Sequence, residues 1–296
     1  MAIGSGRRAE RHDDAFSQAP VIVAALLRAI TAVGIAFCVA VPASAADLNP
    51  ATVAAFDRYV QATESRINTE VASSDQFLWP LTLPPAERDA RMAALRSGTI
   101  LTQKLETKEQ GQAINIPGGL VHHWVGVAFL PGVPIDRTIG LLQDYDHHAS
   151  IYAPYISRSI LRAHEGETYR FHLRFFMKKV ITVVVDSENT GQFTRPAVDR
   201  AFSRIVSTRI AEVDSPGTPS ERELPIGHDG GYLWRLNSYW RFLERDGGTY
   251  VQCESVSLTR GIPVGLGWLI GPFVTSMPRQ SLEFVLETTR QALAPR

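Results

Sequence analysis

The stretch Val121–Phe176, VHHWVGVAFLPGVPIDRTIGLLQDYDHHASIYAPYISRSILRAHEGETYRFHLRFF, decides the fold of this chain. It opens on VHHWVGVAFL, a segment rich in β-branched and aromatic residues, as strands are. PIDRTIGLLQDYD then places Ile135, Ile139 and Leu142 at helical spacing. This change of period predicts a strand that leads into a short helix, with a second short helix after it.

After Pro154 the sequence alternates between apolar and polar residues, as the two faces of a half-buried strand require. One face carries Tyr169, Phe171, Leu173 and Phe175. The opposite face carries Arg170, His172 and Arg174. HEGE at 164–167 supplies the reversal, so the sequence predicts a hairpin with one apolar face.

Further strands and a final helix follow. VITVVVDSENT and AFSRIVSTRIAEV are β-branched strands, and Asp246-Gly247-Gly248 joins GYLWRLNSYWRFLER to TYVQCESVSLTR as a hairpin. In the first arm, one side is predicted to carry Tyr232, Trp234, Leu236, Trp240 and Phe242. SMPRQSLEFVLETTRQAL predicts a helix capped by Ser276. Its apolar stripe consists of Leu282, Val285, Leu286, Thr289 and Leu293.

This order of elements, together with the segment DYDHHASIYAPYISRSIL, resembles the START-like superfamily, also called the polyketide cyclase or lipid-transport superfamily. The resemblance covers roughly residues 120–293. It implies an α+β helix-grip fold, in which a curved antiparallel sheet wraps around a long C-terminal helix. It also implies a ligand chamber between that sheet and that helix.

Two functions are compatible with such a chamber. The favoured one is binding or transport of a lipid or other hydrophobic small molecule. The alternative is a cyclase, dehydratase or hydrolase-like enzyme in which Glu254 or His172 acts on a bound carbonyl. The candidate ligand-binding residues are Phe171, Leu173, Phe175, Trp234, Leu236, Trp240, Glu254, Trp268, Leu282, Val285, Leu286 and Thr289.

GIPVGLGWLIGPFV, just before the final helix, combines four glycines and two prolines with large apolar residues. It is predicted to be a loop over residues 261–273. Two roles stay open for it. In the first, it is a mobile segment, either a lid over the chamber or a tip that touches a membrane transiently. In the second, it is a buried crossover between strand and helix.

Two segments precede the predicted sheet. Residues 1–45 contain an apolar tract that ends at Ala43-Ser44-Ala45, which predicts a cleaved bacterial secretory signal and a periplasmic or secreted protein. The alternative is an uncleaved anchor in the inner membrane. Residues 46–119 predict a helical extension, with Asn49 capping one helix and Gly98 ending a second. The START-like domain is then 120–296.

Composition and motifs limit the kinds of partner and cofactor that the chain is expected to bind. A formal net charge of +0 provides no positive field for nucleic acid. His122 and His123 are adjacent on a strand and point to opposite faces, so they do not favour a metal site, and no cofactor motif is present. After signal cleavage Cys253 would be the remaining cysteine, and its strand predicts a buried side chain.

Overall fold

The computed structural model describes residues 46–178, 182–262 and 267–294. The predicted signal segment, 1–45, lies outside the described residues. Of the helices within the described ranges, none combines the length and the apolarity that crossing a membrane requires.

Helices and strands are distributed as an α+β chain. The α-helices are α1 (Pro50–Ala72), α2 (Pro85–Arg96), α3 (Ile135–Gln143), α4 (His148–Ile151) and α5 (Gly267–Leu293). The first strands are β1 (Ala46–Asp47), β2 (Leu101–Lys104), β3 (Lys108–Glu109), β4 (Gln112–Ala113), β5 (Gly119–Pro131), β6 (Ile156–Glu165) and β7 (Thr168–Lys178). The later ones are β8 (Thr182–Ala197), β9 (Arg200–Asp214), β10 (Arg222–Glu223), β11 (His228–Asp229), β12 (Arg235–Arg245) and β13 (Gly248–Arg260). Short 3₁₀ turns span Trp79–Thr82 and Tyr145–His147.

One large sheet organises the chain. Its strands run in the order β2-β5-β13-β12-β9-β8-β7-β6, and β10 pairs with β9. All of these pairings are antiparallel. The predicted hairpins form at Glu165–Thr168 and at Arg245–Gly248. The curved antiparallel sheet and the C-terminal helix confirm the helix-grip fold class predicted from the sequence.

Helix α5 packs on the concave face of the sheet, against β5. Gly126 makes this close approach possible, because a Cβ atom there would lie 2.7 Å from Cδ1 of Leu286 and 3.0 Å from Cδ2 of Leu282. A distance of 2.7 Å is too short for two carbon atoms, so the helix would have to shift. Leu286 is fully buried at this contact.

The start of α5 corrects one prediction. The helix begins at Gly267 and not at Ser276, so residues 267–273 form its first turns and do not form a loop. Gly271 and Pro272 are poor helix formers, which is why the sequence predicted a loop there. The side chain of Trp268 lies outside the described residues.

The N-terminal extension packs on the outer face of the sheet. Asn49 caps α1 by accepting a hydrogen bond from the Ala51 amide at 2.8 Å, as predicted. The buried face of α1 packs against the outer side of β12 and β13 through Phe56, Tyr59, Ile67, Tyr239, Val256 and Leu258. Helix α2 packs nearby through Met92 and Leu95 against Phe129 and Tyr250.

Cys253 is buried in β13, as the sequence predicts. Burial, reinforced by the negative charge of Glu254, raises the pKa of its thiol. Since the thiolate is the reactive species, we expect an aromatic disulfide reagent to leave Cys253 unmodified in the folded protein and to label it fully in denaturant. A Cys38→Ser variant isolates this thiol for absorbance measurements. Rapid labelling of that folded variant would contradict the burial.

Candidate functional site

An aromatic pair lies at the centre of the concave face. The 3₁₀ turn after α3 brings Tyr145 over β7, where its ring stacks on Phe171 with the centroids 3.7 Å apart. Both side chains are almost completely buried. Leu142 of α3 and Leu282 of α5 belong to the same apolar cluster. The short helices and α5 therefore cover the sheet together, as the helix-grip arrangement requires.

One row of residues across the concave face keeps part of its surface accessible. The backbone register places Trp124, Ser255, Ser238, Ile205 and Gly191 side by side on β5, β13, β12, β9 and β8. We call these five residues the chamber row. The side chains of its first four members are only half-buried, whereas the next row on the side of α3 is closed. The chamber row is thus the part of the concave face that a ligand could contact.

At the β8 end of the chamber row, Gly191 makes room for Tyr145. A Cβ atom on Gly191 would lie 3.1 Å from the Tyr145 hydroxyl oxygen. That hydroxyl is buried and has no hydrogen-bond partner among the described residues. Burial, with the neighbouring Tyr169 and Tyr152 adding to it, raises the pKa of Tyr145, so the group stays protonated and able to donate.

The next row on the side of α3 is buried. Its register aligns Gly126, Cys253, Trp240, Ser203 and Phe193. All five side-chain positions are inaccessible or nearly so, and the hydroxyl of Ser203 has no hydrogen-bond partner within the described ranges. This row is therefore closed to solvent, unlike the chamber row beside it.

A cleft of about 100 Å³ lies at the opposite end of the concave face. Its lining comprises Pro154, Tyr155, Phe176, Met177, Lys178, Met277, Gln280 and Ser281. Phe176 and Met177 follow Phe175 at the end of β7, and Tyr155 packs on Phe284 of α5 with ring centroids 4.5 Å apart. The cleft therefore opens between β7 and the N-terminal half of α5.

Most of the predicted ligand-binding residues lie on the concave face or on the helix that covers it. These are Phe171, Leu173, Phe175, Leu236, Trp240, Leu282, Val285, Leu286 and Thr289. Leu236 lies one row from Ser238 toward the cleft. The hydroxyl of Thr289 hydrogen-bonds that of Tyr152 at 3.0 Å, inside the cluster. Their placement matches the prediction, and their role in binding stays a prediction.

Trp234 is a correction. It was predicted to face the chamber, but it precedes β12 and packs in the outer cluster with Tyr239, Val256 and Leu258. Its indole Nε1 donates a hydrogen bond to Asp229 Oδ1 at 2.9 Å. The alternation of side chains holds only inside a strand, and Trp234 lies just before the strand begins.

Glu254 is the second correction, because it faces away from the chamber. On the outer face it accepts a hydrogen bond from His123 Nε2 at 2.8 Å and forms ion pairs with Arg66 and Arg241. Arg241 also pairs with Glu70 of α1 at 2.7 Å. Burial alone would raise the pKa of Glu254, but the His123 hydrogen bond and the two guanidinium charges hold it below the usual value. This buried network joins α1 to the outer face of the sheet.

The two adjacent histidines separate as predicted. The register pairs His123 with Val256 on the outer face and His122 with Ser257 on the concave face. His122 Nε2 lies 3.1 Å from the Thr259 hydroxyl. Burial, with the positive charge of Lys104 adding to it, lowers the pKa of His122 to about 4. Within the described ranges, no group of three histidine, cysteine or carboxylate side chains is arranged to hold a metal ion.

Comparison with known proteins gives matches of structure alone. No family model matches the chain, and no curated protein sequence matches it. A STAR-related lipid transfer protein from Xanthomonas axonopodis is similar, with 16% identity, coverage of 64% of this chain and 98% of that chain, and a TM-score of 0.40. Zhui aromatase/cyclase from a Streptomyces species has 12% identity and a TM-score of 0.38, and the match covers 59% of this chain and 94% of that chain. Human STARD10 has 8% identity and a TM-score of 0.39, and the match covers 74% of this chain and 83% of that chain.

The fold is START-like. This statement rests on the strand order and on the position of α5 described above. At the identities and TM-scores of these neighbours, the similarities carry no information about a ligand or a reaction.

Sequence reasoning missed the polar members of the chamber row. Ser238 and Ser255 were not among the predicted site residues, although a signal for them exists. The two-residue turn Asp246–Gly247 pairs residues that are equidistant from it, and Ser238 and Ser255 are such a pair. Tyr145 had no comparable signal, because its position over Gly191 depends on how α3 packs on the sheet.

Proposed function

We propose that this protein binds a lipid or another hydrophobic small molecule between its curved sheet and α5. The observation that carries the proposal is the half-buried chamber row, which lies beside a row that is closed to solvent. Ligand sites in proteins are concave and mostly apolar, with a few polar groups that fix orientation. Trp124 and Ile205 supply apolar surface in this row, and Ser238 and Ser255 supply the polar groups.

The positions of the ionisable groups support binding over catalysis. Glu254 and His172, the residues predicted to serve an enzyme, both lie on the outer face. His172 Nδ1 there contacts Glu188 Oε1 at 3.1 Å. His122 does lie on the concave face, but its Nε2 contacts Thr259. A general acid or base has to reach the reacting group of the substrate, and neither Glu254 nor His172 faces the chamber.

We also propose the route of entry and the compartment. The cleft beside Phe176, Met177 and Met277 is the way into the chamber, because it lies between β7 and α5 at one end of the concave face. The predicted signal segment 1–45 supports work outside the cytoplasm. Transport between membranes would follow if entry takes place at a lipid surface.

Binding can be tested with N-phenylnaphthylamine, an uncharged probe whose fluorescence rises in apolar sites. We expect the purified protein to bind it and the Ser238→Phe variant to bind at least tenfold more weakly, because the new ring occupies the chamber. Thr208→Phe places the same ring on the exposed side of β9 and should bind the probe normally.

Melting temperatures of both variants show whether they fold. If Ser238→Phe is destabilised, Ser255→Leu provides a smaller obstruction in the same row. Failure of the unmodified protein to bind the probe, or equal binding by the obstructed variants, would refute the proposed site.

A further inference from the structure

A groove beside the start of α1 lies apart from the chamber row. Its volume is about 490 Å³, within the roughly 300–1,000 Å³ of small-molecule sites. One wall is the exposed face of α1, and the other is the segment that contains β11 and the start of β12. The groove shares no lining residue with the chamber row or with the cleft at the end of β7. Its lining comprises Leu48, Pro50, Val53, Ala54, Asp57, Ile226, Gly227, His228 and Arg235.

Contacts between the two walls hold this groove in shape. The Leu48 amide donates a hydrogen bond to the Gly227 carbonyl oxygen at 2.8 Å. Gly227 has a φ of 75°, and a Cβ atom there would lie 3.0 Å from the Leu48 Cβ atom, so a larger residue would disturb this contact. At the rim, His228 Nδ1 lies 2.6 Å from Asp47 Oδ1. Because these contacts fix the walls, a ligand would not have to order them on binding.

Much of the groove surface is apolar. Leu48 and Val53 are half-buried in it, and Ile226 keeps 48% of its surface exposed. Removing such apolar surface from water is favourable. A ligand with apolar side chains would therefore gain free energy by covering these three residues.

Arg235 gives the groove a guanidinium that lacks an acidic partner. Its Nη1 donates a hydrogen bond to the Trp234 carbonyl oxygen at 2.9 Å, and the side chain is half-buried. It forms no ion pair with any carboxylate of the described residues. The hydrogen bond to Trp234 orients the guanidinium and leaves its other donors for a ligand. The planar fork of arginine matches the two oxygens of a carboxylate.

Asp57 supplies the opposite charge. It is exposed on α1, and its carboxylate has no hydrogen-bond or ion-pair partner within the described ranges. Asp57 and Arg235 thus line one groove without pairing with each other. A ligand that carries an ammonium and a carboxylate, separated by its own backbone, would pair with both residues. A fatty acid would pair with Arg235 alone and would bring no positive charge to Asp57.

We propose that this groove binds a short peptide that has free termini and apolar side chains. The terminal carboxylate pairs with Arg235, and the terminal ammonium pairs with Asp57. The apolar side chains pack against Leu48, Val53 and Ile226. The groove and the chamber row share no residue, so this activity does not depend on the proposed function.

Isothermal titration calorimetry with dileucine and trileucine tests the proposal, because the two peptides place their terminal charges at different separations. The tighter binder is then compared with its N-acetylated form and with its C-terminal amide. Each blocked form should bind about tenfold more weakly than the free peptide, since each lacks one charge-assisted contact. Low ionic strength limits the screening of both ion pairs.

Single substitutions assign the two charges. Arg235→Gln should weaken binding of the free peptide about tenfold and leave binding of the C-terminal amide unchanged. Asp57→Asn should weaken binding of the free peptide and leave binding of the N-acetylated form unchanged. Arg58→Gln is the matched control, because Arg58 is exposed next to Asp57 and does not line the groove. Its affinity for the free peptide should equal that of the unmodified protein.

An obstructing variant tests the location without removing a charge. Ala54→Phe places a ring in the groove and should abolish peptide binding. Ala72→Phe places the same ring at the exposed far end of α1 and should bind the peptide normally. Melting temperatures show whether each variant is folded.

The outcomes separate this inference from the proposed function. Arg235→Gln and Asp57→Asn should bind N-phenylnaphthylamine as the unmodified protein does, whatever happens to the peptides. If neither dileucine nor trileucine binds, or if Arg58→Gln loses as much affinity as Arg235→Gln, the peptide site is refuted while the chamber proposal stands. Decanoate binding that Arg235→Gln weakens, without peptide binding, would overturn the peptide in favour of a fatty acid.

Discussion

Replacing Glu254 by alanine should destabilise the protein by about 3–5 kcal/mol, the usual cost of removing one partner from a buried ion pair. The reason is the environment that the carboxylate leaves behind. Arg241 is completely buried, and Arg66 makes a hydrogen bond to Glu254 from α1. Without Glu254, Glu70 alone among the described residues remains to balance the two guanidinium groups, and His123 Nε2 loses its hydrogen-bond acceptor.

Urea unfolding at neutral pH measures this effect. Glu87→Ala is the control, because Glu87 and its partner Arg91 form an exposed pair at 3.3 Å that should contribute less than about 1 kcal/mol. A Glu254 loss no larger than that of Glu87 would show that the network does not stabilise the fold.

The same carboxylate should make stability depend on pH. Because the folded protein holds the pKa of Glu254 below its ordinary value, its contribution to stability is present above that ordinary value and is lost as the pH falls through the folded pKa. The difference in unfolding free energy between the unmodified protein and Glu254→Gln should therefore shrink under acidic conditions. A free-energy difference that grows as the pH falls would contradict this prediction.

Phe171→Ala should have the second large effect, about 3–5 kcal/mol, as truncation of a fully buried aromatic side chain does. Phe171 is 1% exposed and stacks on Tyr145, so its removal opens a cavity and leaves the tyrosine ring without its partner. The cavity adjoins Gly191 of the chamber row. Affinity for N-phenylnaphthylamine should change along with the free energy of unfolding.

Val198→Ala provides the control for truncation, since Val198 is 86% exposed and its loss should cost no more than about 0.5 kcal/mol. Phe171→Leu keeps most of the side-chain volume, so its loss of unfolding free energy should lie between those of Phe171→Ala and Val198→Ala. A Phe171→Ala protein as stable as Val198→Ala would mean that the aromatic stack does not hold the short helices to the sheet.

Features of the fold that depend on local sequence pattern, such as strand faces and hairpins, were predicted correctly. Alternation placed Phe171, Leu173 and Phe175 on one face correctly, and Asp246-Gly247-Gly248 marked a hairpin that the structure confirms. Glu254 shows the limit of this reasoning. Alternation places Glu254 on the same face as Tyr250, but nothing local says which face of a sheet the helices will cover. The N-terminal extension buries the outer face as well, so burial did not identify the chamber side.

Two further features could not be read from local pattern. Residues 267–273 are helical although Gly271 and Pro272 have low helix propensity, and propensity is only a weak prior. The site depends on distant contacts too. Tyr145 meets Gly191 only after α3 has docked on the sheet, and α5 meets Gly126 only because that strand position has no side chain.

The short strand β2 has a consequence for how the molecule avoids self-association. An open sheet edge exposes unpaired amide and carbonyl groups, which recruit strands from other copies. Here β5, a long apolar strand, is paired on its outer side by Leu101–Lys104, which is brief and ends on a charged lysine. The opposite edge, β6, is interrupted by register shifts near Arg158 and Ala163. A chain shortened beyond Lys104 would uncover the β5 edge and should form aggregates that stack strand upon strand.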